Sequence, residues 1–114
     1  MPSFDDKEFM PAITVQITRF VDDHFPGFVE CNFVDAVGET HVFIDKVPVV
    51  SIENLSATSD YPCSGNLGCK IEEEWKDASG RDVARVSTAY PWDMESTKGT
   101  TDFVVLASQL EDNG

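Results

Sequence analysis

Alternation of apolar and polar residues dominates the chain, and it predicts β-strands rather than helices. In residues 13–20, Ile13, Val15 and Ile17 fall on one face and threonine or glutamine on the other. Further runs typical of strands cover residues 28–35, 40–46, 67–75, 81–89 and 101–106. In residues 67–75 the inward phase includes Glu73, which predicts either a bulge at that point or a position at the rim.

Turn residues separate these runs. Asp77-Ala78-Ser79-Gly80 predicts a tight turn between two strands. In the resulting hairpin, Arg81 and Arg85 are expected to form cross-strand pairs with residues 72–74. Residues 51–65 are rich in Ser, Thr, Asn, Asp and Gly, and residues 51–55 allow a short helical turn. Six short strands predict an all-β, mainly antiparallel small barrel or sandwich with little helix, and closure into a barrel is preferred because it protects sheet edges.

The length of 114 residues suits one domain. We expect residues 11–110 to form that β domain and residues 111–114 to be a frayed tail. Residues 1–10 lack a sustained period and are interpreted as a flexible arm, or alternatively as a short helix beginning near Ser3.

Charge restricts the classes of partner. Twenty-one acidic residues stand against eight Lys and Arg, for a net charge of -13. Such a field repels nucleic acid and anionic membranes and attracts a basic protein, although an acidic surface also serves solubility alone. An acidic N-terminus, the absence of a long apolar run and only three cysteines predict a cytoplasmic protein.

The order of the connections predicts where a site lies. If each strand crosses the body once, the three long connections emerge at the same end, and long loops on a rigid scaffold commonly carry function. The alternative is that their aromatic residues only cap a barrel mouth. The candidate binding residues on these loops are Asp22, Asp23, His24, Phe25, Tyr61, Tyr90, Trp92, Asp93 and Glu95.

Motifs for specific chemistry are weak. Asp22, Asp23 and His24, with Cys63 or His41, offer metal ligands, but the spacing of Cys63 and Cys69 is not typical of zinc, so no metal is predicted. A nucleophilic Cys63 requires a neighbouring positive group such as a histidine. Phosphate-binding glycine loops and the Gly-x-Ser-x-Gly motif are absent from the sequence, and no cofactor is predicted.

Together these features favour a non-catalytic binding or protein-interaction module that presents an acidic, aromatic-rich loop end to a basic protein or a small molecule. The alternative is a small ligand-binding or hydrolytic enzyme at the same end, with His24 as base or ligand and Asp22 or Asp23 orienting it. The sequence does not specify the oligomeric state.

Overall fold

The protein is built almost entirely of antiparallel β-strands, as the sequence predicts. The structure is a computed structural model that describes residues 10–112. It contains a helical turn α1 (Val47–Val50), a short 3-10 helix (Ala107–Gln109) and eight strands. The strands are β1 (Pro11–Asp22), β2 (Phe28–Val34), β3 (Thr40–Lys46), β4 (Cys63–Gly68), β5 (Lys70–Lys76), β6 (Asp82–Ser87), β7 (Asp102–Leu106) and β8 (Leu110–Asp112).

The first sheet is organised around β1, which is twelve residues long. Its strand order is β3-β2-β1-β4, and β8 also pairs with β1. Residues 12–17 of β1 pair with β4, while residues 16–22 pair with β2 and residues 11–13 with β8. Because β4 overlaps both of the other partners, β2 and β8 share the opposite edge of β1, one after the other.

The second sheet has the order β5-β6-β7. The chain enters it at Cys69, whose amide donates to the carbonyl oxygen of Pro11 (3.0 Å), and leaves it through the 3-10 helix. The Ala36 amide, after β2, donates to the Val104 carbonyl of β7 (2.9 Å) and so joins the two sheets. The preferred barrel is therefore replaced by two sheets, because the chain changes sheet at Cys69 instead of continuing as one strand over residues 67–75.

The core follows the predicted alternation in the first strands. Ile13, Val15 and Ile17 of β1 are buried, and so are the inward residues of β2. Across the sheets, the rings of Phe33, Phe43 and Phe103 contact one another with centroids 5.3 to 6.2 Å apart. Burial of these apolar side chains supplies the main stabilisation of the fold.

The β5–β6 hairpin shows why Glu73 breaks the pattern. A register shift between Ile71 and Glu73 turns Glu73 to the surface, as one of the two predicted alternatives requires. The Arg85 guanidinium lies 3.6 Å from Glu72 and 3.1 Å from Glu73, which confirms that cross-strand pairing. Arg81 instead pairs with Asp77 at 2.8 Å, within the turn.

Three local expectations differ from the structure. The helical turn is Val47–Val50 and precedes Ser51, whose extended backbone ends it. Residues 63–65, expected in an irregular stretch, form the start of β4 because they pair with residues 15–17 of β1. Glu111 and Asp112 of the expected frayed tail belong to β8, and Glu111 accepts a hydrogen bond from the Thr14 hydroxyl.

The chain ends lie partly outside the described residues. Of the expected arm, only Met10 is described, and its amide donates to Asp112 Oδ1 (3.1 Å). Residues 1–9 and 113–114 lie outside the described range. No helix within residues 10–112 is long and apolar enough to cross a membrane.

Candidate functional site

The three long connections do not meet at one end of the molecule, contrary to the expectation from the sequence. Asp22 ends β1, whereas the Trp92 indole packs against Gly68, which pairs with Ala12 near the start of the same strand. Asp22 lies ten residues after Ala12, a separation of about 33 Å at the usual rise of a strand. Residues 25–26 and 51–54 of the first two connections do lie around one concavity, as counting strand crossings predicts. The count fails for the third connection, because β5, β6 and β7 form a separate sheet.

His24 lies in an exposed turn rather than in a cavity. Its side chain is 86% exposed, its amide donates to Asp22 Oδ1 (2.9 Å), and its Nδ1 lies 3.5 Å from the same oxygen. The hydrogen bond from that amide is the largest influence on the pKa of Asp22 and lowers it. Desolvation opposes this effect, and the charge and side-chain hydrogen bond of His24 lower the pKa further by smaller amounts. Asp23 is exposed beside them. This arrangement explains the shape of the turn and provides no enclosed position for a substrate or a metal.

The other proposed ligands lie elsewhere. Cys63 pairs with Ile17, five residues before Asp22 on β1, and His41 pairs with Phe33 towards the far end of β2. The Tyr61 hydroxyl donates to the Ser56 carbonyl (2.6 Å) and its ring packs against the core. Tyr61 therefore fixes its own loop.

The aromatic loop after β6 is held from beneath. The Thr88 hydroxyl donates to the Met94 carbonyl (2.7 Å), and the Met94 amide donates to the Thr88 carbonyl (2.9 Å). Met94 is buried, while Asp93 and Glu95 on either side of it are exposed. Asp93 has a φ of 54°, a left-handed conformation that aspartate tolerates better than most residues. These bonds hold Tyr90 and Trp92 at the surface on a fixed support.

Tyr90 and Trp92 form one wall of a concavity that we call the crossover groove. It is lined by residues 10–11, 68–71 and 90–92, and its volume is about 390 Å³. Tyr90 is 59% exposed and Trp92 55% exposed. The Lys70 ammonium lies 5.5 Å from the centroid of the Tyr90 ring, a cation–π distance.

Gly68 allows the close approach of Trp92 in this groove. A Cβ atom at Gly68 would lie 3.0 Å from Trp92 Cδ1 and 3.2 Å from Pro91 Cδ. The sequence identified Tyr90 and Trp92 as anchors but missed Pro11, Lys70 and Ile71, which the change of sheet brings beside them. A glycine inside a predicted strand was the available signal, because such glycines often mark a bend or a close contact.

A second apolar concavity lies at the other end of β1, and we call it the turn-end patch. It is lined by residues 25–26, 47–48 and 51–54 and has a volume of about 320 Å³. Phe25 is 95% exposed and Ile52 is fully exposed. Phe25 is the predicted binding residue that joins this patch, whereas Ile52 was not singled out from the sequence.

Asp35 and His41 form a partly buried hydrogen-bonded pair that the sequence did not predict. His41 Nε2 lies 2.8 Å from Asp35 Oδ2, and the imidazole packs against Phe33 and Phe103. Asp35 Oδ1 accepts the amides of Val37 and Glu39, each at 3.0 Å. Partial burial raises the pKa of Asp35, but the hydrogen bonds from His41, Glu39 and Val37 outweigh it and lower the pKa overall.

The Glu39 carboxylate lies near this pair, so that one ligand atom from each of Asp35, Glu39 and His41 falls within 4.8 Å of the others. These groups could hold a divalent cation. Both oxygens of Asp35 are already used within the hairpin, so the arrangement is explained by the turn itself, and we assign no metal to it.

The cysteines have the properties of core thiols. Burial raises the pKa of Cys31 to about 12 and that of Cys69 to about 11. Burial and the neighbouring Glu53 also raise the pKa of Cys63. A nucleophilic cysteine requires the opposite shift, so the hypothesis of a Cys63 nucleophile receives no support from the geometry.

Comparison with known proteins finds no match among protein-family models, curated proteins or solved structures. Functional inference therefore depends on the two apolar concavities themselves.

Proposed function

We propose that the protein is a non-catalytic binding module that holds an apolar side chain of a partner protein in the crossover groove. The observation that carries this proposal is the pair of half-exposed aromatic residues, Tyr90 and Trp92, which form the wall of a concavity of about 390 Å³. Tyrosine and tryptophan at the centre of an interface commonly supply much of its binding energy.

The rigid support of the aromatic loop favours binding. Two hydrogen bonds between Thr88 and Met94, one between main-chain groups and one from the Thr88 hydroxyl, fix its base, and Trp92 packs on Gly68. An anchor that is already ordered in the free protein loses little conformational entropy when a partner docks. The net charge of -13 would steer a basic protein towards the molecule before the apolar contact forms.

A small molecule is the second candidate occupant of the same groove. A volume of about 390 Å³ lies within the range of sites that bind small ligands. Lys70 at the wall would add a positive group for a ligand that carries an acid. Both candidates use Trp92, so one variant tests both.

Affinity capture with purified protein tests the proposal. We expect wild type and Trp75→Ala to retain the same partner and Trp92→Ala to lose it. Trp75 is a matched control because it is a tryptophan, 39% exposed, at the far end of β5 from the groove. Titration of the captured partner is expected to show binding weakened about tenfold or more by Trp92→Ala.

The two occupants are distinguished by mass spectrometry of the captured material, which contains a protein in one case and a small molecule in the other. Circular dichroism of each variant checks that the fold is retained. Equal affinity of wild type and Trp92→Ala would contradict the proposal.

A further inference from the structure

Phe25 and Ile52 are unusual because both are large apolar residues at the surface of the turn-end patch. Phe25 is 95% exposed and Ile52 is fully exposed. Pro26 and Pro48 extend the same apolar concavity. Single exposed apolar residues are common on protein surfaces, whereas two from different loops around one concavity are typical of an interaction site.

The turn after β1 holds Phe25 outward. The Gly27 amide donates to the His24 carbonyl (2.6 Å), and the Gly27 carbonyl accepts the Val47 amide (2.9 Å). Gly27 has a φ of 94°, and a Cβ atom there would lie 3.2 Å from the Phe20 ring. Gly27 therefore allows the backbone conformation of the turn, and its hydrogen bond with the Val47 amide holds the turn against α1.

The loop after α1 holds Ile52 outward in the same way. Val50 and Leu55, on either side of Ile52, are buried at 1% and 8% exposure. The Ser51 hydroxyl accepts the Glu53 amide (2.9 Å) and shapes the turn between them. Turning Ile52 inward would require these buried neighbours to move, so its exposure is a property of the fold.

Charge at the patch indicates the chemistry of the partner. Glu53 lines the concavity, and the exposed Asp22 and Asp23 precede Phe25 in the same turn. The nearest cations along the chain are Lys46, just before α1, and Arg19, which pairs with Glu30 at 2.7 Å. Together with the net charge of -13, this rim favours cations around an apolar centre and disfavours a second copy of the chain, whose acidic rim would oppose it.

We infer that the turn-end patch is a second docking surface, separate from the crossover groove, and that its partner is a protein segment that presents apolar side chains flanked by Lys or Arg. Phe25 and Ile52 bind the apolar side chains. Asp22, Asp23 and Glu53 attract the flanking cations.

A fluorescein-labelled peptide of leucine and lysine, arranged as an amphipathic helix, is the probe. Its binding to the full chain is followed by fluorescence anisotropy at low and at physiological salt. The control peptides are oligolysine of equal charge and a leucine–serine peptide without charge.

The central variant is the double substitution Phe25→Ser with Ile52→Ser, and the control variants are Val37→Ser and Trp92→Ala. Val37 is a matched control because it is also apolar and 81% exposed, but lies in the β2–β3 turn.

We expect the leucine–lysine peptide to bind wild type and to lose affinity about tenfold or more in the double variant. All affinities are compared in the Trp92→Ala background, so that the crossover groove does not contribute to peptide binding. In that background Val37→Ser should leave the affinity within about twofold, because Val37 does not touch the patch. Removing the rim charges by Asp22→Asn, Asp23→Asn and Glu53→Gln should weaken the binding and reduce its salt dependence. Both substituted apolar side chains are exposed, so the double variant should fold, which circular dichroism checks.

Four results would overturn the inference: no binding of the leucine–lysine peptide, equal binding of oligolysine, equal affinity with and without the double substitution, or loss of binding in Trp92→Ala. A wild-type dimer in sedimentation that the double variant abolishes would also overturn it, because the occupant would then be a second copy. Since Trp92→Ala leaves this surface intact, failure here is distinct from failure of the crossover groove.

Discussion

The two ends of β1 carry apolar surfaces of different construction. At the crossover groove, Tyr90 and Trp92 are half-buried because the chain changes sheet beside them and supplies a floor of residues 68–71. At the turn-end patch, Phe25 and Ile52 project from turns and are not covered by any of the residues that the structure describes. Apolar residues thus form a walled cavity where two sheets meet and an open surface where only turns meet. The groove suits one side chain, and the patch suits an extended contact.

Substitution of two glycines of β4 is expected to give the largest change in stability among the tests of this contrast. A Cβ atom at Gly65 would lie 2.6 Å from Ile17 Cδ1 and 2.6 Å from the backbone oxygen of Val50, in α1 beside the patch. Neither atom can move freely, so Gly65→Ala is expected to lower the free energy of unfolding by about 3 kcal/mol in urea denaturation.

Gly68→Ala is the matched control at the other end. Its new methyl group meets the half-exposed Trp92 side chain at 3.0 Å, and that side chain can shift towards solvent. We expect a loss of stability of about 1 kcal/mol or less together with a clear loss of partner binding in the groove. Equal destabilisation by the two substitutions would show that the groove is not the more adaptable of the two regions.

Two aspartate–histidine pairs give the next comparison. Asp22 and His24 are exposed beside the turn-end patch, whereas Asp35 and His41 are partly buried and the His41 imidazole packs against Phe33. Asp35→Asn is expected to cost about 1–2 kcal/mol at neutral pH, because it removes a charge-assisted hydrogen bond from a partly buried site. Asp22→Asn should leave the midpoint of thermal unfolding unchanged.

The pH dependence of Asp35→Asn follows from the pKa of Asp35, which lies below its ordinary value of 3.8 in the folded protein. The carboxylate therefore stabilises the fold above the unfolded pKa, and this contribution is lost as pH falls through the folded pKa. The stability difference between wild type and Asp35→Asn should narrow as pH falls below about 4. A difference that widens in acid would contradict the assigned role of Asp35.

The smallest expected difference between the two regions lies in the reactivity of their cysteine thiols. Cys69 lies on the floor of the crossover groove but is 3% exposed, and burial raises its pKa to about 11. With iodoacetamide at pH 8, mass spectrometry should find Cys63 labelled first, with Cys31 and Cys69 protected until the protein unfolds. Labelling of Cys69 as fast as Cys63 would indicate that the floor of the groove is open.

Much of the first sheet could be predicted from the sequence, because the alternation at Ile13, Val15 and Ile17 follows directly from burial of one face. The change of sheet could not. Leu67, Cys69 and Ile71 alternate with glycine and lysine without a break at the change of sheet. The local pattern is therefore the same for one long strand as for two shorter strands.

The candidate residues do not gather at one end of the molecule, where the sequence placed them. Tyr90, Trp92 and Phe25 do line apolar concavities, but in two places instead of one. The pairing of Asp35 with His41 depends on the register of the β2–β3 hairpin and on packing against Phe103, and neither is local information. The binding roles of all nine candidate residues remain predictions.

The most direct test of the crossover groove is the fluorescence of Trp92 in the Trp75→Phe variant, where it is the only tryptophan. In the free protein, its 55% exposure should allow efficient quenching by acrylamide. At saturation with the captured partner, we expect the emission to shift to shorter wavelength and the quenching constant to fall severalfold, because the occupant covers the indole. Emission and quenching that stay the same at saturation would contradict the assignment of the groove as the binding surface.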